Sequence, residues 1–230
     1  MLEPADRVVM VSGAARGIGR ATVERLLAAG FRVSAGVRDA RGLAPTERLM
    51  VQRYDAESLA SAEAWVADTV ARFGSVDALV NAAGVNTRFA VTDADETALD
   101  ELWAVNVKGP LRLSRLVLPH LAACGVGRIV NVASLSGKRV ANANAGYAIS
   151  KFAVVALTQA LRRAGWDNGV RATALCPGFV ETDMTVSAQL PRAEMSKPGD
   201  LAAMVEMLLR LPNTAVVAEL LVNCRLEMVG

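Results

Sequence analysis

The sequence predicts an α/β fold, a doubly wound parallel sheet of about seven strands with helices on both faces. Three observations predict it. Short apolar runs alternate with stretches of helical periodicity from one end to the other, the order of a parallel sheet joined by crossover helices. Runs such as Val8-Val9-Met10-Val11 and Ile129-Val130-Asn131-Val132 are almost continuously apolar, as strands covered on both faces must be. A glycine-rich turn lies between the first run and the first helix, where such a sheet presents helix N–H groups to an anion.

The strands are expected over Arg7–Val11, Phe31–Val37, Leu49–Tyr54, Val76–Val80, Arg128–Val132, Val170–Leu175 and Glu219–Val222. The helices are expected near 17–29, 57–73, 95–123, 146–166 and 198–210. Asp39 to Pro45 reads as a loop that leaves almost no room for a helix before Leu49. Met184 to Lys197 is polar, with Pro191 within it and Pro198 just after it. It reads as a mobile flap over a site at the C-terminal ends of the strands. With no repeat and no linker, residues 1–230 are expected to form one domain.

The bulk properties exclude several classes. Hydrophobic residues make up 53% and charged residues 21%, a globular mix. A net charge of +2 with scattered arginines gives no stripe for nucleic acid. Cys124, Cys176 and Cys224 lie far apart, without a Cys-x-x-Cys pair. That argues against a disulfide framework or structural zinc and points to a reducing cytoplasm. No signal peptide or membrane-spanning run is read from the sequence. His120 is the single histidine, in Leu118-Pro119-His120-Leu121 late in a helix. It reads as a partly exposed helix residue, and neither a Ser-His-Asp triad nor a metal site is expected.

The glycine-rich turn is Ser12-Gly13-Ala14-Ala15-Arg16-Gly17-Ile18-Gly19. Gly13 permits a tight exit from the strand, Gly17 a close approach of backbone to a pyrophosphate, and Gly19 close helix-to-sheet packing. A glycine triplet alone is weak, but the strand before it and the helix after it supply the context for dinucleotide binding. Where the second strand ends, the acid that would favour NAD is replaced by Val37. Arg38 follows, and Arg16 lies in the turn. Two guanidinium groups could clamp a 2′-phosphate, which points to NADP(H). Solvated surface arginines are the other reading, and Asp39 would put an acid near the ribose if the register moved.

Tyr147-Ala148-Ile149-Ser150-Lys151 is the most informative stretch. A spacing of four puts Tyr147 and Lys151 on one helix face. A free phenol has a pKa of about 10. A neighbouring ammonium is expected to lower it, so that Tyr147 can trade a proton with a substrate oxygen while Lys151 holds ribose hydroxyls. Alone, such a pair is most often a surface coincidence. Ser134, at the end of the fifth strand, could donate to the substrate oxygen. Asn106, in Val105-Asn106-Val107-Lys108-Gly109, either bends a long helix around an ordered water linked to Lys151 or is an ordinary packing residue.

These residues together resemble the short-chain dehydrogenase/reductase superfamily, over Arg7 to Val222. The resemblance implies a Rossmann fold and carries further roles. Asn106, Ser134, Tyr147 and Lys151 match the catalytic set in order and spacing. Asp55 matches an acid that contacts adenine. Asn81-Ala82-Ala83-Gly84 matches the Asn-Asn-Ala-Gly segment, with Ala82 in place of the second Asn. Pro177-Gly178-Phe179-Val180-Glu181-Thr182 matches the segment whose Val180 backbone and Thr182 serve the carboxamide and pyrophosphate. Ser12 stands where Thr is usual. The family also implies a homodimer or homotetramer packed through the helices at 95–123 and 146–166.

The function expected is NADP(H)-dependent hydride transfer to or from a small aldehyde, ketone or alcohol. A dinucleotide-binding regulator without turnover, or an epimerase or dehydratase on the same scaffold, would be expected to show a damaged Tyr147/Lys151 pair or a large C-terminal lobe. Val85, Asn86, Ser136, Val140, Asn142, Asn144, Phe179 and Met184 are the substrate-pocket candidates, with Asn142 and Asn144 either contacts or plain loop.

Overall fold

The computed structural model describes residues 1–40 and 42–226. Seven parallel strands form one sheet: β1 (Val8–Ser12), β2 (Arg32–Val37), β3 (Leu49–Arg53), β4 (Ala78–Asn81), β5 (Arg128–Val132), β6 (Arg171–Pro177) and β7 (Glu219–Val222). Their order is β3-β2-β1-β4-β5-β6-β7. The order reverses between β1 and β4, which opens a crevice at the strands' C-terminal ends. The helices are α1 (Gly17–Ala29), α2 (Leu59–Phe73), α3 (Thr97–Leu102), α4 (Gly109–Ala123), α5 (Ala145–Gly165) and α6 (Pro198–Arg210).

Alternation along each strand sends neighbouring side chains to opposite faces. Val9, Val11, Val80, Val130 and Leu175 pack with Val23, Leu26, Leu201, Val205 and Leu209 of α1 and α6. Met10, Leu79, Ile129 and Ala172 pack on the other face with Trp65, Leu113, Val117, Leu121 and Leu161 of α2, α4 and α5. A buried polar residue on β2 has its own partners. Ser34 Oγ receives the Trp65 indole N–H at 2.8 Å and pairs with Thr69 Oγ1 at 2.7 Å. These bonds remove the desolvation cost of a hydroxyl in the core.

Local chemistry sets the helix ends. Gly30 closes α1 with φ 102°, a left-handed cap that suits glycine. Ser58 caps α2 by accepting from Ser61 N at 3.2 Å. Pro198 occupies the first turn of α6, and Asp200 accepts from Lys197 N at 2.9 Å. The helix expected over 95–123 is not uniformly α. Residues Trp103–Lys108 form a π-helical stretch between α3 and α4. Between β2 and β3 no helix is seen among the described residues.

The stretch expected to be a mobile flap is folded and tethered. It forms two short turns, at Asp183–Thr185 and Arg192–Glu194. Glu181 N–H donates to Ser196 O at 2.9 Å, and Ser196 N–H to Phe179 O at 3.2 Å. Glu181 also receives Arg192 at 3.1 Å and Lys197 at 2.6 Å.

Candidate active site

At the C-terminal ends of the strands a cleft of about 790 Å³ begins at the glycine turn and runs past Ser134 and Tyr147 to Phe179 and Met184. Its nucleotide end is built by close backbone approach. A Cβ on Gly13, where φ is 67°, would lie 2.6 Å from Ala83 N, and one on Gly19 would overlap the Gly13 carbonyl oxygen. Only glycine fits either place. Ser12 Oγ accepts from Ala82 N and Ala83 N, each at 3.2 Å, and so locks the end of β1 to the end of β4. Ser12 therefore supplies the hydroxyl that Thr would supply.

Gly13, Arg16, Gly17, Ile18, Gly19, Arg38, Asp55, Ala82 and Gly84 all line the cleft. So do Ser134, Tyr147, Lys151, Pro177, Gly178, Val180 and Thr182. The turn leads directly into the N-terminus of α1, which turns free N–H groups and a positive dipole end toward the cleft. Val37 is buried where the second strand ends, and Arg38 beside it is exposed. Arg16 reaches Asp183 at 3.1 Å, but both side chains are about 70% exposed (71% and 69%). Such a pair is weak enough for a phosphate to displace. Asp55 Oδ1 accepts from Glu57 N at 3.0 Å, which fixes its carboxylate at the cleft edge.

Two of the expected residues stand behind the wall of the cleft rather than on it. Asn81 lies beneath the floor, where its amide N–H₂ donates to Ser114 Oγ at 3.2 Å and Asn131 Oδ1 at 2.8 Å. Asn131 in turn donates to Thr158 Oγ1 at 2.8 Å. This side-chain chain ties β4, β5, α4 and α5 together through the Asn81 N–H₂ group, while the buried Asn81 Oδ1 has no hydrogen-bond partner. Asn106 sits in the π-helical stretch and is buried. Its Oδ1 accepts from Val85 N at 2.9 Å, and its Nδ2 donates to Val85 O at 3.0 Å and Ser150 Oγ at 3.0 Å. Ser150 Oγ donates to Tyr147 O at 2.8 Å. Asn106 thus clamps the loop after β4 to the turn of α5 that carries Tyr147. A Cβ on Gly84 would stand 3.2 Å from Asn106 Oδ1 and 3.8 Å from Lys151 Nζ, so these groups converge on one point.

The helix that carries Tyr147 starts from Asn144. Its Oδ1 accepts from Phe89 N at 3.1 Å and Tyr147 N at 3.5 Å, and its Nδ2 donates to Asn86 Oδ1 at 3.0 Å. Asn142 Oδ1 accepts from Asn144 N at 2.9 Å. These asparagines are a helix cap and its turn, although both also line the cleft. Spacing alone did not distinguish a cap from a ligand contact. The signal available was the Asn three residues before Tyr147, at the start of an apolar period.

The electrostatics differ from the expectation. Burial pushes the Tyr147 phenol above its usual value, and the Ser134 hydroxyl beside it pulls the other way. Burial lowers the Lys151 ammonium to about 8. The net shift of Tyr147 is therefore upward despite the ammonium on the same helix face. Its Nζ lies 5.6 Å from the centre of the Tyr147 ring and donates to Val132 O at 2.9 Å. Desolvation of both groups outweighs their mutual effect. Ser134 Oγ accepts from Ser136 N at 3.0 Å, which orients the hydroxyl at the strand end.

The glycine cradle, the helix N-terminus and the arginines fit a dinucleotide. Among the described residues no group of three or more His, Cys, Asp or Glu is placed to hold a metal ion. No described helix is long and apolar enough to cross a membrane.

The model of the short chain dehydrogenase family matches residues 7–192. The agropine synthesis reductase of Rhizobium rhizogenes is 39% identical over 229 residues, 96% of this chain and 53% of that protein. The chain thus spans about half the length of that relative. The solved 3-ketoacyl-(acyl-carrier-protein) reductase from Brucella melitensis, complexed with NADH, superposes with a TM-score of 0.88 at 26% identity, covering 96% of this chain and 98% of that one. A short chain dehydrogenase from Burkholderia cenocepacia in complex with NADP gives 0.86 at 25% identity, with the same coverages of 96% and 98%.

Proposed function

This chain belongs to the short chain dehydrogenase family of oxidoreductases, and we propose that it transfers a hydride between NADP(H) and a small aldehyde, ketone or alcohol, with Tyr147 as general acid/base. The meeting of Ser134, Tyr147 and Lys151 on one cleft with the glycine cradle carries this reading. When bound, the nicotinamide supplies or accepts the hydride.

The chain's own residues do the rest. Gly13, Arg16, Gly17, Ile18 and Gly19 would hold the diphosphate at the α1 N-terminus. Arg38, with Arg16, would take a 2′-phosphate, and buried Val37 offers no acid to the ribose. Asp55, Ala82 and Gly84 would face the adenosine, Lys151 the nicotinamide ribose, and Pro177, Gly178, Val180 and Thr182 the carboxamide side. The Ser134 hydroxyl would donate to the substrate oxygen. Tyr147, raised by burial, keeps its proton at neutral pH and can pass it to that oxygen as negative charge develops. Lys151, with a pKa near 8, is mostly charged at pH 7 and stabilises the phenolate left behind. Asn106 and Asn81 hold the scaffold on which these groups stand. Assembly as a homodimer or homotetramer through α4 and α5 fits the exposed Leu111, Ile149 and Phe152.

A panel of aldehydes and ketones, read by oxidation of NADPH and separately of NADH, tests the proposal. Turnover with a clear preference for NADPH is expected. Preference for NADH would overturn the cofactor assignment, and no turnover of any carbonyl would overturn the activity.

A further inference from the structure

One of the two arginines assigned to a 2′-phosphate already has an acid. Arg16 extends from the glycine turn to the turn after β6, where its Nη1 meets Asp183 Oδ2 at 3.1 Å. The same two turns also touch beside that pair. A Cβ on Gly17 would stand 3.2 Å from Thr182 Cγ2. Gly17 begins α1, so the acid stands close to the helix N-terminus where a diphosphate would lie. Arg16, Gly17, Thr182 and Asp183 all line the cleft.

The two partners are not equally free. Asp183 has a short side chain on a pinned turn. Thr185 Oγ1 donates to Val180 O at 2.6 Å and accepts from Thr182 N at 3.3 Å, which closes the turn around the acid. Glu181, two residues earlier, is held by Arg192 and Lys197, and a parallel bridge joins Val180 to Ser196. Arg16 has a long side chain, 71% exposed, and meets the carboxylate through one nitrogen rather than as a two-pronged fork. When the pair opens, the arginine is the partner that moves.

We propose that Asp183 is a determinant of cofactor specificity: it competes with the 2′-phosphate for Arg16, and so loosens NADPH and speeds its release while leaving NADH nearly untouched. The inference rests on the NADP(H) reading above and adds the residue that limits the preference. A phosphate offers a guanidinium more charge and paired oxygens, so it can take Arg16 from a single carboxylate contact. The ribose hydroxyls of NADH are neutral and cannot, so Arg16 stays on Asp183 when NADH binds. NADPH binding therefore loses an ion pair and leaves a bare carboxylate near the phosphates. An exposed ion pair is worth up to about fivefold in an equilibrium constant, which sets the scale. Salt weakens both the pair and the repulsion.

The test measures the Kd of NADPH and of NADH by fluorescence titration at low salt, and the rate of NADPH release by stopped-flow displacement. Asp183→Asn should tighten NADPH at least about threefold and slow its release by a similar factor, while the Kd of NADH changes by less than about 1.5-fold. Asp183 is 69% exposed, so the substitution removes a charge without disturbing the core. Added salt should shrink the gain. In an Arg16→Gln background, Asp183→Asn should no longer tighten NADPH relative to NADH. NADPH bound equally or more weakly by Asp183→Asn would overturn the inference. Equal tightening of NADPH and NADH would also overturn it, because the acid would then act on the diphosphate common to both. A gain that persists without Arg16 would overturn it as well. A wild-type protein that binds NADH more tightly than NADPH would instead bring down the NADP(H) reading, and this inference with it.

Discussion

Replacing Lys151 by Met removes a buried ammonium and keeps a side chain of similar length. Burial lowers the Lys151 pKa from 10.5 to about 8. That difference of about 2.5 corresponds to about 3 kcal/mol of destabilisation when the group is charged. Against this, the Nζ–H bond to Val132 O is lost, and an unsatisfied buried carbonyl costs about 1 kcal/mol. The charge effect wins, and Lys151→Met should be more stable than wild type by about 2 kcal/mol at pH 7. In a chain of this size that is a rise in Tm of about 4–8 °C. The sign fixes the pH window. Below pH 8 the lysine is protonated in both folded and unfolded states, and the full penalty applies. Between pH 8 and 10.5 the folded state gives up its proton first, the unfolded state binds more protons, and wild-type stability rises. The gap between variant and wild type should therefore close across that interval. Urea denaturation of both proteins from pH 7 to 10.5 measures it. A variant less stable than wild type by more than about 1 kcal/mol at pH 7, or a gap that does not change with pH, would refute the reasoning.

Three further outcomes follow from the same geometry. Carbonyl reduction should decline as pH rises through about 8, because Lys151 loses the charge that stabilises the phenolate; the pH profile of kcat checks this. Arg38→Asp should lower kcat/KM for NADPH at least tenfold and favour NADH, since a charged hydrogen bond is worth about 1.5–3 kcal/mol; steady-state kinetics with both cofactors reads it. Asn144→Ala removes the α5 cap and the bond to Phe89 N. It should cost about 2 kcal/mol in urea melts and reduce kcat, whereas Asn144→Asp, which keeps the accepting oxygen, should lose much less.

Much of the fold was legible because periodicity carries it. The bounds of α1, α6, β5 and β7 agree with the pattern to the residue. Elsewhere most ends moved by one or two residues where neighbours decide. β6 runs on to Pro177 because Cys176 and Pro177 still pair with Leu221 and Val222. The lining of the cleft was legible from glycine spacing and from the Tyr147/Lys151 interval. The protonation behaviour was not. Spacing shows that the two residues share a helix face, but only tertiary packing reveals that both are desolvated and that Nζ turns to Val132 O. The place of Asn81 beneath the floor likewise depends on Ser114 and Asn131, which are 33 and 50 residues away.

Single-turnover oxidation of prebound NADPH by a reducible carbonyl, in Tyr147→Phe and in wild type, tests proton donation by the phenol most directly. Cofactor affinity is measured on both proteins by fluorescence titration. Affinity should stay within about threefold, while the hydride-transfer rate falls at least about a hundredfold, the usual contribution of a general acid. A transfer rate in the phenylalanine variant within threefold of wild type would contradict Tyr147 as the proton donor.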